Sequence, residues 1–187
     1  DHPNYRHDLT DVVRQALTDS SYYLLNDSAH SWERKDMKTF CRLSDSFLEM
    51  IEDMDRLLAG NELFSLEKWI SSAREICSEV AGTDEEAKDW MEWNARTQIS
   101  VWGPEGAAEK GHLHDYSNRQ WSGLLRDFHY RRWKIFFDAL KTGAEVPDSH
   151  EWFRIEEAWT HENRFGKRSD ENPVDVAEEL FRKYFYL

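Results

Sequence analysis

The sequence predicts an all-α fold, a single domain of about seven to eight helices packed as an irregular bundle over residues 1–187. Three observations carry that prediction. Apolar residues recur at spacings of three and four through most of the chain, the period of one helical face. No convincing pair of strands appears, since Ile99-Ser100-Val101 alternates too briefly to make one. No repeat of roughly 34 or 40 residues recurs, which disfavours a helical solenoid. A chain of 187 residues is long enough to bury one core. Its 9 Trp, 7 Tyr and 10 Phe can bury large areas despite an apolar share of only 40%.

The elements follow in order. Leu9, Val12, Val13, Ala16, Leu17, Tyr23 and Leu24 form the stripe of a first helix. A second runs from about Glu33 to Ala59 with Met37, Phe40, Leu43, Phe47, Leu48, Ile51, Met54 and Leu58 inward, and Gly60-Asn61 offers a left-handed stop. Ser65 is placed to cap a third helix carrying Leu66, Trp69, Ile70, Ala73, Ile76, Cys77 and Val80 inward, with Gly82 just beyond. Thr83-Asp84-Glu85-Glu86 reads as a capping box that opens a fourth helix through Trp90, Met91, Asn94 and Gln98. Gly103-Pro104 ends it. A helix resumes near Asp115 with Trp121, Leu124, Leu125 and Phe128, and passes into Trp133, Phe136, Phe137 and Leu140 with a bend near Tyr130. Ser149 is expected to cap the next, through Phe153, Ile155, Ala158 and Trp159. Asn172-Pro173 supplies a cap with proline at the first helical position of the last, which carries Leu180, Phe181, Tyr184 and Phe185.

Charge excludes some partners. With 24 basic and 37 acidic residues the formal net charge is −13, which repels nucleic acid and anionic lipid, because binding phosphates requires Lys or Arg to displace counterions. The run Trp121 to Phe137 holds Arg126, Arg131, Arg132 and Lys134 among aromatics, but stacking and pairing with nearby acids account for it. No 18-residue apolar run exists to span a membrane. The chain opens with Asp-His-Pro-Asn, with neither an initiator Met nor a leader pattern, and reads as a piece of a longer polypeptide. Cys41 and Cys77 fall among apolar neighbours and are expected to be buried free thiols. Asn26-Asp27-Ser28 fits a glycosylation sequon, a three-residue match that arises often by chance.

Candidate chemistry is sparse. His112-Leu113-His114-Asp115 is the one metal-like cluster, but two imidazoles and a carboxylate need a further ligand, and a polar loop entering a helix is the favoured reading. No metal and no cofactor is predicted. Glu33, Glu52, Glu85, Glu86, Glu156 and Glu157 sit where solvated helix faces are expected, and no nucleophile–base arrangement stands out. The stretch around "SVWGPEG" differs. Arg96, Gln98, Trp102 and Glu105 bring a guanidinium, an amide, an indole and a carboxylate together on a backbone stiffened by Pro104. An indole beside a carboxylate suits a sugar ring, which stacks on one and bonds to the other. The competing role is a turn in which Trp102 fills a gap between helices and Glu105 pairs with an Arg, and the residues alone favour it.

Four blocks then carry a family resemblance: "YRHDLTDVVRQAL", "NARTQISVWGPEG", "DYSNRQWSGLLRDFHYRRWKIFFDAL" and "VDVAEELFRKYF". In this order, and over nearly the whole chain, they resemble the C-terminal helical domain of α-N-acetylglucosaminidases, glycoside hydrolase family 89, which includes the lysosomal enzyme of heparan sulfate breakdown. The resemblance implies a three-part parent: a small N-terminal α/β domain, a (β/α)₈-type barrel and this helical domain. It implies a retaining exo-glycosidase that removes terminal α-linked N-acetylglucosamine with two carboxyl groups about 5–5.5 Å apart. In the family those glutamates belong to the barrel, so this chain is expected to hold no catalytic residue and to be inactive alone. Its implied role is to pack on the barrel and form one wall of the substrate cleft. Its partners would be that barrel and a glycan ending in N-acetylglucosamine, in a parent that is secreted, periplasmic or lysosomal.

By the same resemblance Arg96, Trp102, Glu105, Asp115, Tyr116 and Asn118 are candidate cleft or interdomain residues. Between Gly106 and Asp115 the segment "AAEKGHLH" departs from the lysosomal member in being longer. The charge of −13 bears on substrate as well, since a long sulfated polysaccharide would be repelled where one neutral terminal sugar would not. Heparan is then only one possible source of the terminal sugar. The alternative function is a stand-alone helical module that binds glycans or proteins.

Overall fold

The computed structural model describes residues 2–81, 84–108, 114–162 and 169–185. They form an all-α domain of seven helices of twelve or more residues and one single-turn helix. The long helices are α1 (Pro3–Glu33), α2 (Met37–Ala59), α3 (Leu66–Ala81), α4 (Glu85–Gln98), α6 (Tyr130–Thr142), α7 (Ser149–Thr160) and α8 (Pro173–Phe185), and α5 (Glu105–Ala108) is the short one. Short 3₁₀ turns occupy Glu62–Phe64 and Tyr116–Asn118. Among the described residues the only β-type pairing is an isolated bridge between Ser65 and Ser122.

Two apolar clusters build the core. The larger sets Val13 and Leu17 of α1 against Phe40, Phe47, Met50, Met54, Leu57 and Leu58 of α2, with Phe137 of α6 and Val176, Ala177 and Leu180 of α8. Helix α2 is central because its apolar stripe is the most sharply sided in the chain. The smaller cluster joins Leu66 and Ile70 of α3 and Ala95 of α4 to Leu124 and Phe128, which precede α6, and to Trp159 of α7. The two meet along residues 121–130. There Leu66 N–H donates to Ser122 O at 3.0 Å and Ser122 N–H donates to Phe64 O at 2.8 Å.

Several element ends differ from the sequence reading, each for a local reason. Helix α1 runs on to Glu33, and α2 starts four residues later than expected, at Met37. The break is a turn in which Lys35 takes φ 61°, and the Asp36 carboxylate caps α2 by accepting from Thr39 N–H at 3.1 Å. Gly60 is not a left-handed stop, since its φ is −78°. The close feature there is packing: a Cβ at this position would lie 3.1 Å from Pro173 Cβ, so a larger residue presses on the start of α8. Gly143, at φ 72°, is the left-handed end of α6.

Ser65 and Asn172 cap their helices as expected, accepting from Glu67 N–H and Val174 N–H at 3.1 Å each. The seventh helix is capped by Asp148, not Ser149, in a reciprocal box with Glu151. Thr83 and Gly82 lie outside the described residues; Asp84 is the cap of α4, accepting from Glu86 and Ala87 N–H.

No helix resumes at Asp115. The chain there makes a 3₁₀ turn, and the helical run begins near Leu124 as a π-helical stretch, Leu125–His129, that leads into α6. The expected bend near Tyr130 corresponds to this wider turn. Val12, Tyr23, Ile76, Ala158 and Val80 (86% exposed) are exposed rather than inward. Cys41 is only half-buried, while Cys77 is buried, and both are free.

Candidate functional site

After α4 ends at Gln98, the backbone turns back on itself. Ile99, Ser100 and Val101 are buried, and Ser100 Oγ donates to Arg96 O at 2.8 Å. This anchoring throws the next residue outward. Trp102 takes φ 61°, a left-handed conformation costing a non-glycine residue about 1–2 kcal/mol. Its N–H donates to Thr97 O at 2.8 Å, and Gly103 N–H donates to Val101 O at 2.7 Å, so the turn is bonded on both sides. Pro104 then leads into the single turn α5.

The indole of Trp102 does not fill a gap between helices. It is 43% exposed and lies against Tyr116, with ring centroids 5.0 Å apart and planes inclined by 34°. Tyr116 is itself 47% exposed. Two further left-handed residues bracket it, Asp115 at φ 49° and Asn118 at φ 45°. Asp115 N–H donates to Ser100 O at 3.0 Å, joining the two turns, and Asp115 O accepts from Asn118 N–H at 2.8 Å. Aspartate and asparagine tolerate this conformation better than most residues, which is why the sequence can hold it twice in four positions.

Charge organises the rest. Arg132 Nη1 donates to both carboxylate oxygens of Asp115, at 2.9 and 2.8 Å, and its Nε lies 3.1 Å from Glu156 Oε1. The guanidinium also sits 5.0 Å over the Phe128 ring. His114 Nδ1 lies 3.6 Å from the other oxygen of Glu156. Glu156 is buried, not on a solvated face, and burial pushes its carboxyl above the usual range although Arg132 works against it. These side chains line a cleft of about 500 Å³ together with His129, Trp133 and Trp152. Burial holds the His129 imidazole down to about 4, so it is neutral at pH 7.

Among the described residues Glu105 pairs with no Arg. It is exposed and stands 3.1 Å from Nδ1 of His150, on the first turn of α7. Arg96 is not on this face: it has no exposed surface, bonds Glu92 at 3.0 Å and lies 5.0 Å over the Trp159 ring, fixing α4 against α7 from inside. Of the six residues singled out from sequence, Trp102, Tyr116, Asp115 and Asn118 come together, Glu105 lies on the same loop, and Arg96 supports it from beneath.

The residues missed were Arg132, Glu156 and His150. Nothing in their spacing signals the site, because Arg132 arrives from α6 and His150 and Glu156 from α7, far from the loop in sequence. His112 lies outside the described residues. Among those that are described, no group of three or more His, Cys, Asp or Glu is placed to hold a metal ion.

The family description alpha-N-acetylglucosaminidase (NAGLU) C-terminal domain matches residues 1–183. The chain belongs to this family. It is 28% identical over 192 aligned positions to the α-N-acetylglucosaminidase of Homo sapiens, covering 98% of this chain and 24% of the human protein. Among solved structures it resembles a family 89 glycoside hydrolase from Clostridium perfringens in complex with 2-acetamido-1,2-dideoxynojirmycin, at TM-score 0.87 and 29% identity over 98% of this chain and 21% of that one. The same enzyme's complex with its substrate GlcNAc-α-1,4-galactose superposes with TM-score 0.85 at 29% identity, over 96% of this chain and 21% of that one. The chain thus spans about a quarter of the length of its curated relative. The match to the C-terminal domain model and the all-α fold agree with each other.

Proposed function

We propose that the parent protein is a retaining exo-α-N-acetylglucosaminidase, and that this domain packs on its catalytic barrel and forms one wall of the cleft for the terminal sugar. The observation that carries this is the exposed Trp102–Tyr116 pair, held by three left-handed residues in a chain that belongs to the family. Paired rings left in the open on strained, bonded turns are preorganised for contact, and an aromatic face with a nearby carboxylate, Glu105, matches the apolar face and hydroxyls of a sugar. Among solved relatives, one was determined with an α-linked N-acetylglucosamine disaccharide described as its substrate. The two catalytic carboxyl groups belong to the barrel in this reading, and the domain supplies shape and contacts.

The test is a pair of measurements. The full-length protein is expected to hydrolyse an aryl α-N-acetylglucosaminide with retention, read by NMR of the first-formed anomer, while the 187-residue chain alone has no activity. Inversion, or no hydrolysis by the full-length protein, overturns the proposal. Titration of the isolated chain with N-acetylglucosamine separates the other reading. A Trp-fluorescence change saturating in the low millimolar range, about −4 kcal/mol, together with an inactive full-length protein would favour a stand-alone glycan-binding module.

A further inference from the structure

We propose that Arg132 is a positioning residue for the cleft: acting through Asp115, it sets Tyr116 against Trp102 and so fixes the shape of the aromatic pair. This rests on reading that pair as part of the cleft wall. Arg132 is no part of the "SVWGPEG" or Asp115-Tyr116 segments, lies on α6, and touches neither exposed ring. Its effect is transmitted in three steps.

Arg132 Nη1 bonds both oxygens of Asp115. Asp115, held left-handed, ties its N–H to Ser100 O and its carbonyl to Asn118 N–H. Those two bonds fix the turn that carries Tyr116 in the same frame as the turn that carries Trp102, and the rings meet at 5.0 Å.

The arrangement is built to hold Arg132 still. Its Nε is engaged by Glu156, a buried carboxylate on α7, and its planar group stacks over Phe128. Arg132 therefore joins three elements: α6, α7 and the Asp115 turn. A guanidinium can do this because its separate nitrogens address two carboxylates at fixed angles, whereas an ammonium offers one point of charge. Loss of Arg132 leaves Asp115 in a disfavoured conformation with its main side-chain restraint gone, so the turn relaxes and the rings separate.

The experiment uses the full-length protein with Arg132→Gln, Arg132→Lys, Trp102→Ala and the Arg132→Gln/Trp102→Ala double change. Hydrogen exchange at the amides of Asp115 and Asn118 is expected to quicken at least tenfold in Arg132→Gln and by less in Arg132→Lys, which keeps the charge near Asp115 but cannot also reach Glu156. On an aryl α-N-acetylglucosaminide, Arg132→Gln is expected to raise KM about tenfold with kcat within about twofold, the pattern of lost uniform binding. The double change is expected to cost no more than Trp102→Ala alone, because both act on one pair.

Unchanged exchange in Arg132→Gln, or costs that simply add, would overturn the positioning role. Quickened exchange with no kinetic effect of Trp102→Ala would uphold the positioning and overturn the cleft-wall reading instead. Should Arg132→Gln not fold, Asp115→Asn removes the same ion pair in a residue that accepts the left-handed backbone, and the same outcomes apply.

Discussion

Asp55, buried on α2, accepts the backbone N–H of Gly123 at 2.7 Å and that of Arg126 at 3.2 Å through one carboxylate oxygen. The other oxygen faces Ser122 Oγ at 3.5 Å and the Arg126 guanidinium at 3.5 Å. An aspartate thus tethers the start of the π-helical stretch to the central helix, at the seam between the two apolar clusters. The amides at a helix start lack intrahelical partners, and here the partner comes from another helix.

Asp55→Ala strands two amides and is expected to cost about 3 kcal/mol in urea unfolding, whereas Asp55→Asn, whose amide oxygen can take the same place, is expected to cost less than about 1 kcal/mol. The pH dependence has a defined sign. Burial raises the Asp55 carboxyl above its ordinary range, so the folded state holds a proton that the unfolded chain has already released. Stability from this group therefore falls as pH rises from about 3.9 through the raised value. Subtracting the Asp55→Asn profile from that of the native chain should reveal this fall.

Glu92 and Arg96 form a buried pair on successive turns of α4, bonded at 3.0 Å, with Arg74 of α3 3.1 Å from the second Glu92 oxygen. Breaking either half leaves a buried charge without this partner. Glu92→Leu and Arg96→Met are each expected to cost about 3–5 kcal/mol, with the double change costing less than the sum of the two. Thermal unfolding of the three variants measures this.

His129 lies on the floor between two clefts. Its folded value of about 4 is below the ordinary 6.5, because burial disfavours the imidazolium. The unfolded chain takes up the proton first as pH falls, so stability contributed by the neutral ring is full above about 6.5 and is lost toward about 4. The loss is of order 1–3 kcal/mol. In His129→Gln the stability difference between pH 7 and pH 4.5 should shrink by that amount; an unchanged difference would show that the ring is open to water.

How much was legible divides along physical lines. The stripe of Phe40, Phe47, Ile51, Met54 and Leu58 was legible because one face of α2 meets one continuous core. Ile76 and Val80 were misplaced because they flank the buried stripe of Leu66, Ile70 and Cys77 instead of lying on it. The left-handed stop read at Gly60 is absent, while Lys35, Trp102 and Asp115 are left-handed, tied by backbone bonds to Trp32 O, Thr97 O and Ser100 O that residue type does not announce. The candidate loop could be picked out since its own residues are unusual. Its supports could not, since Arg132, Glu156 and His150 reach it from α6 and α7, and a pairing across 17 or 45 residues leaves no trace in local spacing.

Trp102→Ala in the full-length protein separates the two roles this loop can have. The ring is 43% exposed and, among the described residues, meets the Tyr116 ring, so deleting it uncovers part of a half-covered side chain and the melting temperature should fall by only a few degrees. If the indole borders the sugar, kcat/KM on an aryl α-N-acetylglucosaminide should fall about tenfold or more, about 1.4 kcal/mol. Trp102→Phe, which keeps a flat apolar face, should recover much of it. A fall in melting temperature with kinetics intact would instead assign the ring to packing against the neighbouring domain. Relief of the left-handed strain cannot mimic either result, because alanine at φ 61° is strained as tryptophan is.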